Sequence, residues 1–386
     1  MRIFLPSQSD ALLDGHLERL NQLVQLFIER SRNVPLNLTF DSGSTLPDCH
    51  LIDLVLETLT KHANRWSGVE FVNPTPFVSH PAFRNVKQNL SSLRTLDAHH
   101  NLNPVLDLLG HPPLLGNLSF FHGGGLGQGA NASWEHLSSL SIMAFGDVAS
   151  LLDLLRLCAG VRHLKIVIAG SEQLDRARSL DHIPPVPRTI NTIESLSFSC
   201  SYQDLDDTAS LAFLRSIILP RLSSLELRGI SCLFDSPENR TKNHFCDLIA
   251  QSECDITSLS LAHFDRTSDD QVIQLLQSMP KLKELHVEEQ EMGPFFQYRT
   301  PPSNHIVTSR FLTRLAQRGN GGHNFHKTLV PLLTDLTLVV QAGDFDVEAF
   351  GSILLRRPPL FTDEENAEAK MPARNESASD SNRARE

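Results

Sequence analysis

The stretch His122-Gly123-Gly124-Gly125-Leu126-Gly127-Gln128-Gly129-Ala130 carries the residue types of two chemistries. Its HGGG run matches the oxyanion segment of lipase-type hydrolases, where backbone N–H groups stabilise a tetrahedral intermediate. Gly125, Gly127 and Ala130 also hold the spacing of a dinucleotide loop, in which glycines let the backbone approach a pyrophosphate. The hydrolase reading lacks its nucleophile, because no G-x-S-x-G elbow occurs in the chain. A dinucleotide site needs a helix of about ten or more residues starting at the glycines and leading to a parallel strand. Only ANASWEH lies between Gly129 and Leu137, which opens the next apolar run.

Histidines and carboxylates offer a third chemistry. In ELHVEE, Glu284, His286 and Glu288 alternate along a strand-like run, which puts imidazole and carboxylates on one face within reach of a shared zinc ion. His263 falls at the end of the neighbouring run, and His323 and His326 sit in the glycine-rich GGHNFH. Neither group has the Cys/His spacing of a structural zinc site. There is no P-loop and no H-E-x-x-H motif either. The chain therefore reads as a non-enzyme with no metal and no cofactor. The alternative is a hydrolase or nucleotide-binding enzyme using the 122–130 loop.

The elements that would position these residues follow one pattern, aliphatic-x-x-Leu-x-apolar. It occurs nine times, opening at Leu93, Leu115, Leu137, Val161, Ile193, Leu222, Ile256, Leu282 and Leu333, with leucine always central. Most spacings approach the 20 to 29 residues of a leucine-rich repeat, which places a short strand in front and a helix or irregular segment behind. A single unit has too little apolar surface to fold alone, whereas stacked units bury one continuous column. Helical periodicity behind the strands is clear at 147–158 and 268–279, with Asp147 and Ser268 as expected N-caps.

Two weaker units come first. Trp66, Val69 and Phe71 follow a helical run whose apolar face reads Leu51, Leu54, Val55, Leu59 and the stem of Lys61. VPLNLTF (34–40) follows a run with Leu17, Leu20, Leu23, Val24, Phe27 and Ile28. The expected fold is an α/β leucine-rich-repeat solenoid, horseshoe-like, with short parallel strands on the concave face and helices and irregular loops on the convex face. Residues 1–15 read as an N-terminal extension and 16–360 as an array of about eleven units. Insertions are expected near 171–190 and 288–330, and 361–386 reads as a disordered tail, having almost no apolar residues. The glycine loop becomes the convex return of one repeat.

The net charge of -11 argues against general affinity for nucleic acid or anionic membrane, which both select clustered Lys and Arg. The N-terminus has no signal-peptide h-region, and no apolar run approaches a membrane span. A cytoplasmic or nuclear location is expected. In that setting the six N-x-[ST] sites are silent and the six cysteines read as reduced thiols.

Residues flanking the strand leucines project from the concave face. The central column from Asp97 onward reads Asp97, Ser119, Ser141, Lys165, Ser197, Glu226, Ser260, His286 and Thr337. The next reads His99, Phe121, Met143, Val167, Ser199, Arg228, Ala262, Glu288 and Val339. Apolar anchors beside charges suit a protein partner. The candidate protein-binding residues are Asp97, His99, Phe121, Met143, Lys165, Glu226, Arg228, Glu284, His286 and Glu288.

LFIERSRNVPLNLTF (26–40), ETLTKHANRWSGVEF (57–71), the leucine ladder and LTDLTLVVQAGDFDVEAFGSILLRR (333–357) together resemble the F-box and leucine-rich-repeat proteins of mushroom-forming fungi. The resemblance implies a substrate receptor of a cullin-RING ubiquitin ligase, the repeats presenting a target and an N-terminal F-box docking on the ligase adaptor. Residues 1–386 are not expected to include the F-box: only about 25 residues precede the ERS...PL segment, and FLPSQSDALL (4–13) is too short for that module. An adaptor partner is thus implied only if an F-box lies upstream. An orphan member of the family without a ligase link would share these motifs.

Overall fold

The computed structural model describes residues 2–5, 13–42, 50–110, 112–122, 134–144, 148–168, 186–200, 208–229, 244–262, 268–289, 306–317, 329–340 and 346–356. Fourteen strands are found among them: β1 (Arg2–Leu5), β2 (Leu36–Ser42), β3 (Trp66–Phe71), β4 (Thr95–Asn101), β5 (Asn117–His122), β6 (Ser139–Ala144), β7 (His163–Ile168), β8 (Arg188–Thr189), β9 (Ser195–Cys200), β10 (Ile217–Ile218), β11 (Ser224–Arg228), β12 (Ser258–Ala262), β13 (Glu284–Glu288) and β14 (Asp335–Val339). Twelve of them form one sheet in chain order, β8 and β10 standing apart as a separate parallel pair. Each neighbour in the large sheet is parallel, as a chain that returns through a helix or loop after every strand must be.

The ladder is in register. Leu196, Leu225, Leu259, Leu285 and Leu336 stand opposite one another on successive strands, as do Phe198, Leu227, Leu261, Val287 and Leu338. Apart from Leu336 and Leu338 on β14, which are only half-buried, those side chains are at most 2% exposed, while the alternating positions are half-buried or exposed except for the buried Ala262. The sheet thus has one face in the core and one open face, which is the concave face expected from sequence.

Behind the strands lie α1 (Leu13–Ser31), α2 (His50–Thr60), α3 (Thr75–Val78), α4 (Leu102–Leu109), α5 (Val148–Leu157), α6 (Thr208–Arg215), α7 (His244–Ser252), α8 (Asp269–Gln277), α9 (Ser309–Ala316) and α10 (Val347–Arg356). Ser268 closes a capping box on α8: its hydroxyl accepts from the Gln271 N–H at 3.4 Å while its own N–H donates to Gln271 Oε1 at 2.9 Å. Asp147, the other expected cap, lies outside the described residues.

A backbone clasp joins the repeats. The Gly116 carbonyl accepts from both Ser138 N (2.8 Å) and Ser139 N (3.0 Å), and the same double acceptance recurs at Ser138, Arg162, Glu194, Ser223, Thr257 and Lys283. At four joints a hydroxyl adds a third bond to the same carbonyl: Ser138 to Gly116, Ser223 to Glu194, Thr257 to Ser223, and Thr334 to Lys283, at 3.1 to 3.2 Å. The Ser/Thr residues after the opening aliphatic position are therefore joint residues rather than solvated filler.

Several expectations change. Within the 1–15 segment read as an N-terminal extension, Arg2–Leu5 pairs in parallel with β2, Arg2 opposite Thr39 and Ile3 opposite Phe40, one strand more than the sequence units counted. Four residues are too few to display a period. On α2 the buried face is Ile52, Val55, Leu56 and Leu59, rotated from the expected one, because Leu54 is only half-buried and Lys61 is exposed. Among the α1 side chains that are described, Val24 and Ile28 are buried, while Leu23 and Phe27 are 62% and 38% exposed. The 171–190 insertion ends in β8, where Arg188 also reaches Asp153 at 3.0 Å. Within 288–330, Glu289 accepts from the Ile306 and Val307 N–H groups at 3.0 and 2.9 Å, fixing the approach to α9. The glycine loop 123–129, His263, His323, His326 and the 361–386 tail lie outside the described residues.

Among the described cysteines, Cys158, Cys246 and Cys254 are free. Burial pushes the Cys158 thiol up to about 12 and those of Cys246 and Cys254 up to about 11. Native protein at pH 8 is therefore expected to leave Cys158, 2% exposed, unmodified by iodoacetamide, and to yield it on denaturation, as mass mapping would show. The sign of the linkage is also fixed. A thiol whose pKa is raised on folding stabilises fully below the unfolded value of 9.0, and that stability is lost as pH rises from there toward about 12.

Candidate functional site

The open face of the sheet collects all ten candidate residues, in three groups set by strand register. The first spans β3 and β4. Glu70 stands opposite Asp97, and His99 Nε2 lies 2.9 Å from Glu70 Oε1 and 4.0 Å from Asp97 Oδ1. The Thr39 hydroxyl donates to the other Glu70 oxygen at 2.8 Å. Burial pushes the Asp97 carboxyl above its ordinary range; His99 and a hydrogen bond with Ser119 oppose that, and the charge of Glu70 adds to it.

His99 does not occupy the column position its spacing implies. The register shifts between Ala98 and Asn101, so Asn101 rather than His99 stands opposite Phe121. A bulge leaves the extra residues unpaired and re-aims the side chain, here toward the Glu70 carboxylate on β3. Where the strand runs directly into α4 at Leu102, spacing alone does not locate such a shift.

The second group is apolar. Phe121, Met143 and Val167 stand side by side on β5, β6 and β7, Met143 37% exposed and the others half-buried. Beside them Lys165 and Glu226 occupy the central column, separated by Ser197. Arg228 Nε donates to Glu226 Oε1 at 2.6 Å. Burial of Glu226 works against ionisation, but hydrogen bonds with Ser197 and Arg228 and the charges of Arg228 and Lys165 outweigh it. The carboxyl is held below its ordinary range.

The third group is Glu284, His286 and Glu288 on β13. His286 Nε2 lies 3.9 Å from Glu288 Oε2. Among the described residues, the group that brings three possible ligand atoms within 4.8 Å of one another is Glu70, Asp97 and His99. Glu70 and Thr39 are missing from the sequence-derived column. They were legible there: Glu70 holds the position after Val69 in the weaker unit, in the same phase as Asp97 after Leu96.

A parallel sheet of in-register LxxLxL strands with one buried and one open face, backed by helices and irregular segments, is an α/β leucine-rich-repeat solenoid, and that is the class of this chain. Among solved structures it is similar to an internalin from Listeria monocytogenes, at 12% identity over 90% of this chain and 95% of that one, with a TM-score of 0.33. The class stands on register and burial rather than on that likeness. No protein-family model matches the chain, and no curated protein matches it. Among the described residues no helix is long and apolar enough to cross a membrane.

Proposed function

We propose that the chain is a non-enzymatic scaffold that binds another protein on the open face of its sheet. The observation that carries this is the row Phe121, Met143, Val167: three apolar side chains in register on adjacent strands, partly exposed, beside a central column lined by hydroxyls, charges and a histidine. Central apolar anchors supply most of a protein interface's affinity, and flanking charges set register and reject wrong partners. Lys165, Glu226 and Arg228 on one side and the Glu70, Asp97, His99 group on the other fill that second role.

The finer reading is a substrate receptor of a cullin-RING ubiquitin ligase, in the cytoplasm or nucleus. It is supported by the resemblance to fungal F-box and leucine-rich-repeat proteins, and its adaptor contact would come from an F-box. The test is quantitative capture from the native source with the full chain, Met143→Glu and, as a surface control, Leu355→Glu. A partner retained by the parent and the control but reduced about tenfold or more by Met143→Glu is the expected result. Equal capture by all three sinks the assignment of this face. Cullin and its adaptor among the captured proteins would support the ligase reading; their absence beside a Met143-dependent partner would leave the scaffold alone.

A further inference from the structure

We propose that Glu70, Asp97 and His99 bind a first-row divalent transition ion such as Zn2+ or Co2+. Imidazole nitrogen with two carboxylate oxygens is a donor set for such ions, with metal–ligand distances of about 2.0 to 2.2 Å. Ligand atoms around one ion then lie roughly 3 to 3.5 Å apart. The observed separations of 2.9 Å and 4.0 Å bracket that range, and all three atoms lie within 4.8 Å of one another. Three protein donors leave one position of a four-coordinate shell for solvent.

Three features beyond proximity favour a cation. The β4 bulge takes His99 out of the regular column and turns it onto Glu70, bringing nitrogen and oxygen donors from two strands to one point. Outer contacts orient the carboxylates: Thr39 holds the far oxygen of Glu70 at 2.8 Å, and Ser119 hydrogen-bonds Asp97. Two like charges directly opposed on neighbouring strands repel, and a dication between them reverses the sign of that interaction. Glu284, His286 and Glu288 lack this arrangement, being strung along a single strand with His286 3.9 Å from Glu288. The three ligand side chains are 36% to 49% exposed, so an ion enters from solvent with no rearrangement of the core.

All three ligands come from this chain, so the isolated full chain tests the site without a protein partner. Chelator-treated protein is titrated with Co2+, followed by visible absorption and calorimetry, with Zn2+ as competitor. One saturable equivalent is expected, weakened about tenfold or more in both His99→Gln and Glu70→Gln and unchanged in His286→Gln. Co2+ should also raise the melting temperature of the parent and not that of His99→Gln, while all variants melt alike in chelator. No saturable binding, binding that survives His99→Gln, or binding that requires His286 overturns the site.

Discussion

Phe40→Ala is expected to lower the free energy of unfolding by about 3 to 5 kcal/mol, and to do so at one end of the sheet. Phe40 is fully buried on β2, and four aromatic rings surround it. Phe71 stacks on it with centroids 5.3 Å apart, and Phe77, Phe83 and Trp66 lie at 5.3, 5.5 and 5.8 Å. Truncation removes the ring's own transfer free energy and leaves a hole that four rigid neighbours fill poorly, because each of them also packs on another. In a stacked array each unit contacts mainly its neighbours, so the loss should not spread evenly. Hydrogen exchange would show it: amides of β2 to β4 lose protection, while those of β11 to β13 keep theirs. Uniform loss along the sheet, or an effect under about 1 kcal/mol, would contradict the picture of a local aromatic core.

The parts of this fold that were legible in the sequence are those where one period governs burial. A strand has a side-chain period of two, so the phase of Leu-x-Leu fixes which residues enter the core and which line the open face. That is why the columns from Ser119 and Phe121 onward are found opposite one another as spacing implies. Residues set by neighbouring elements were not legible in the same way. The bulge that frees His99 depends on how β4 meets α4, and the helix faces depend on which strand leucines each helix covers. On α1, six apolar residues at helical spacing announced one buried face, yet the described burial is confined to Val24, Ile28 and part of Leu20. Glu70 is a different case, since its phase was in the sequence and only the weakness of its unit hid it.

Gly160 holds the second large effect, and it also separates two reasons for a glycine. It follows α5 and Cys158, where a left-handed terminating glycine would be the ordinary expectation. The positive-φ glycines among the described residues are Gly110 and Gly229, so backbone conformation is not what selects glycine at 160. Room is what selects it. A Cβ there would lie 2.2 Å from the Glu135 carbonyl oxygen and 3.1 Å from that of Leu137, both backbone atoms of the preceding repeat. Neither can swing aside as a side chain would. To admit a methyl group, the turn before β7 must retreat from the turn before β6, and it carries the clasp in which Ser138 accepts from Arg162 N and His163 N at 2.9 and 3.0 Å. Gly160→Ala should therefore cost about 3 kcal/mol, the upper end of overpacking effects. Two other glycines fix the sign of the comparison. A Cβ on Gly116 meets nothing closer than 3.7 Å, so alanine there should be nearly neutral. One on Gly351, inside α10, meets nothing within 4 Å, and alanine should stabilise the chain by up to about 1 kcal/mol through helix propensity. Urea unfolding of the three variants should rank Gly351→Ala above the parent, Gly116→Ala beside it and Gly160→Ala well below. A Gly160→Ala variant as stable as the parent would mean that the repeats stack less closely than the clasp distances require.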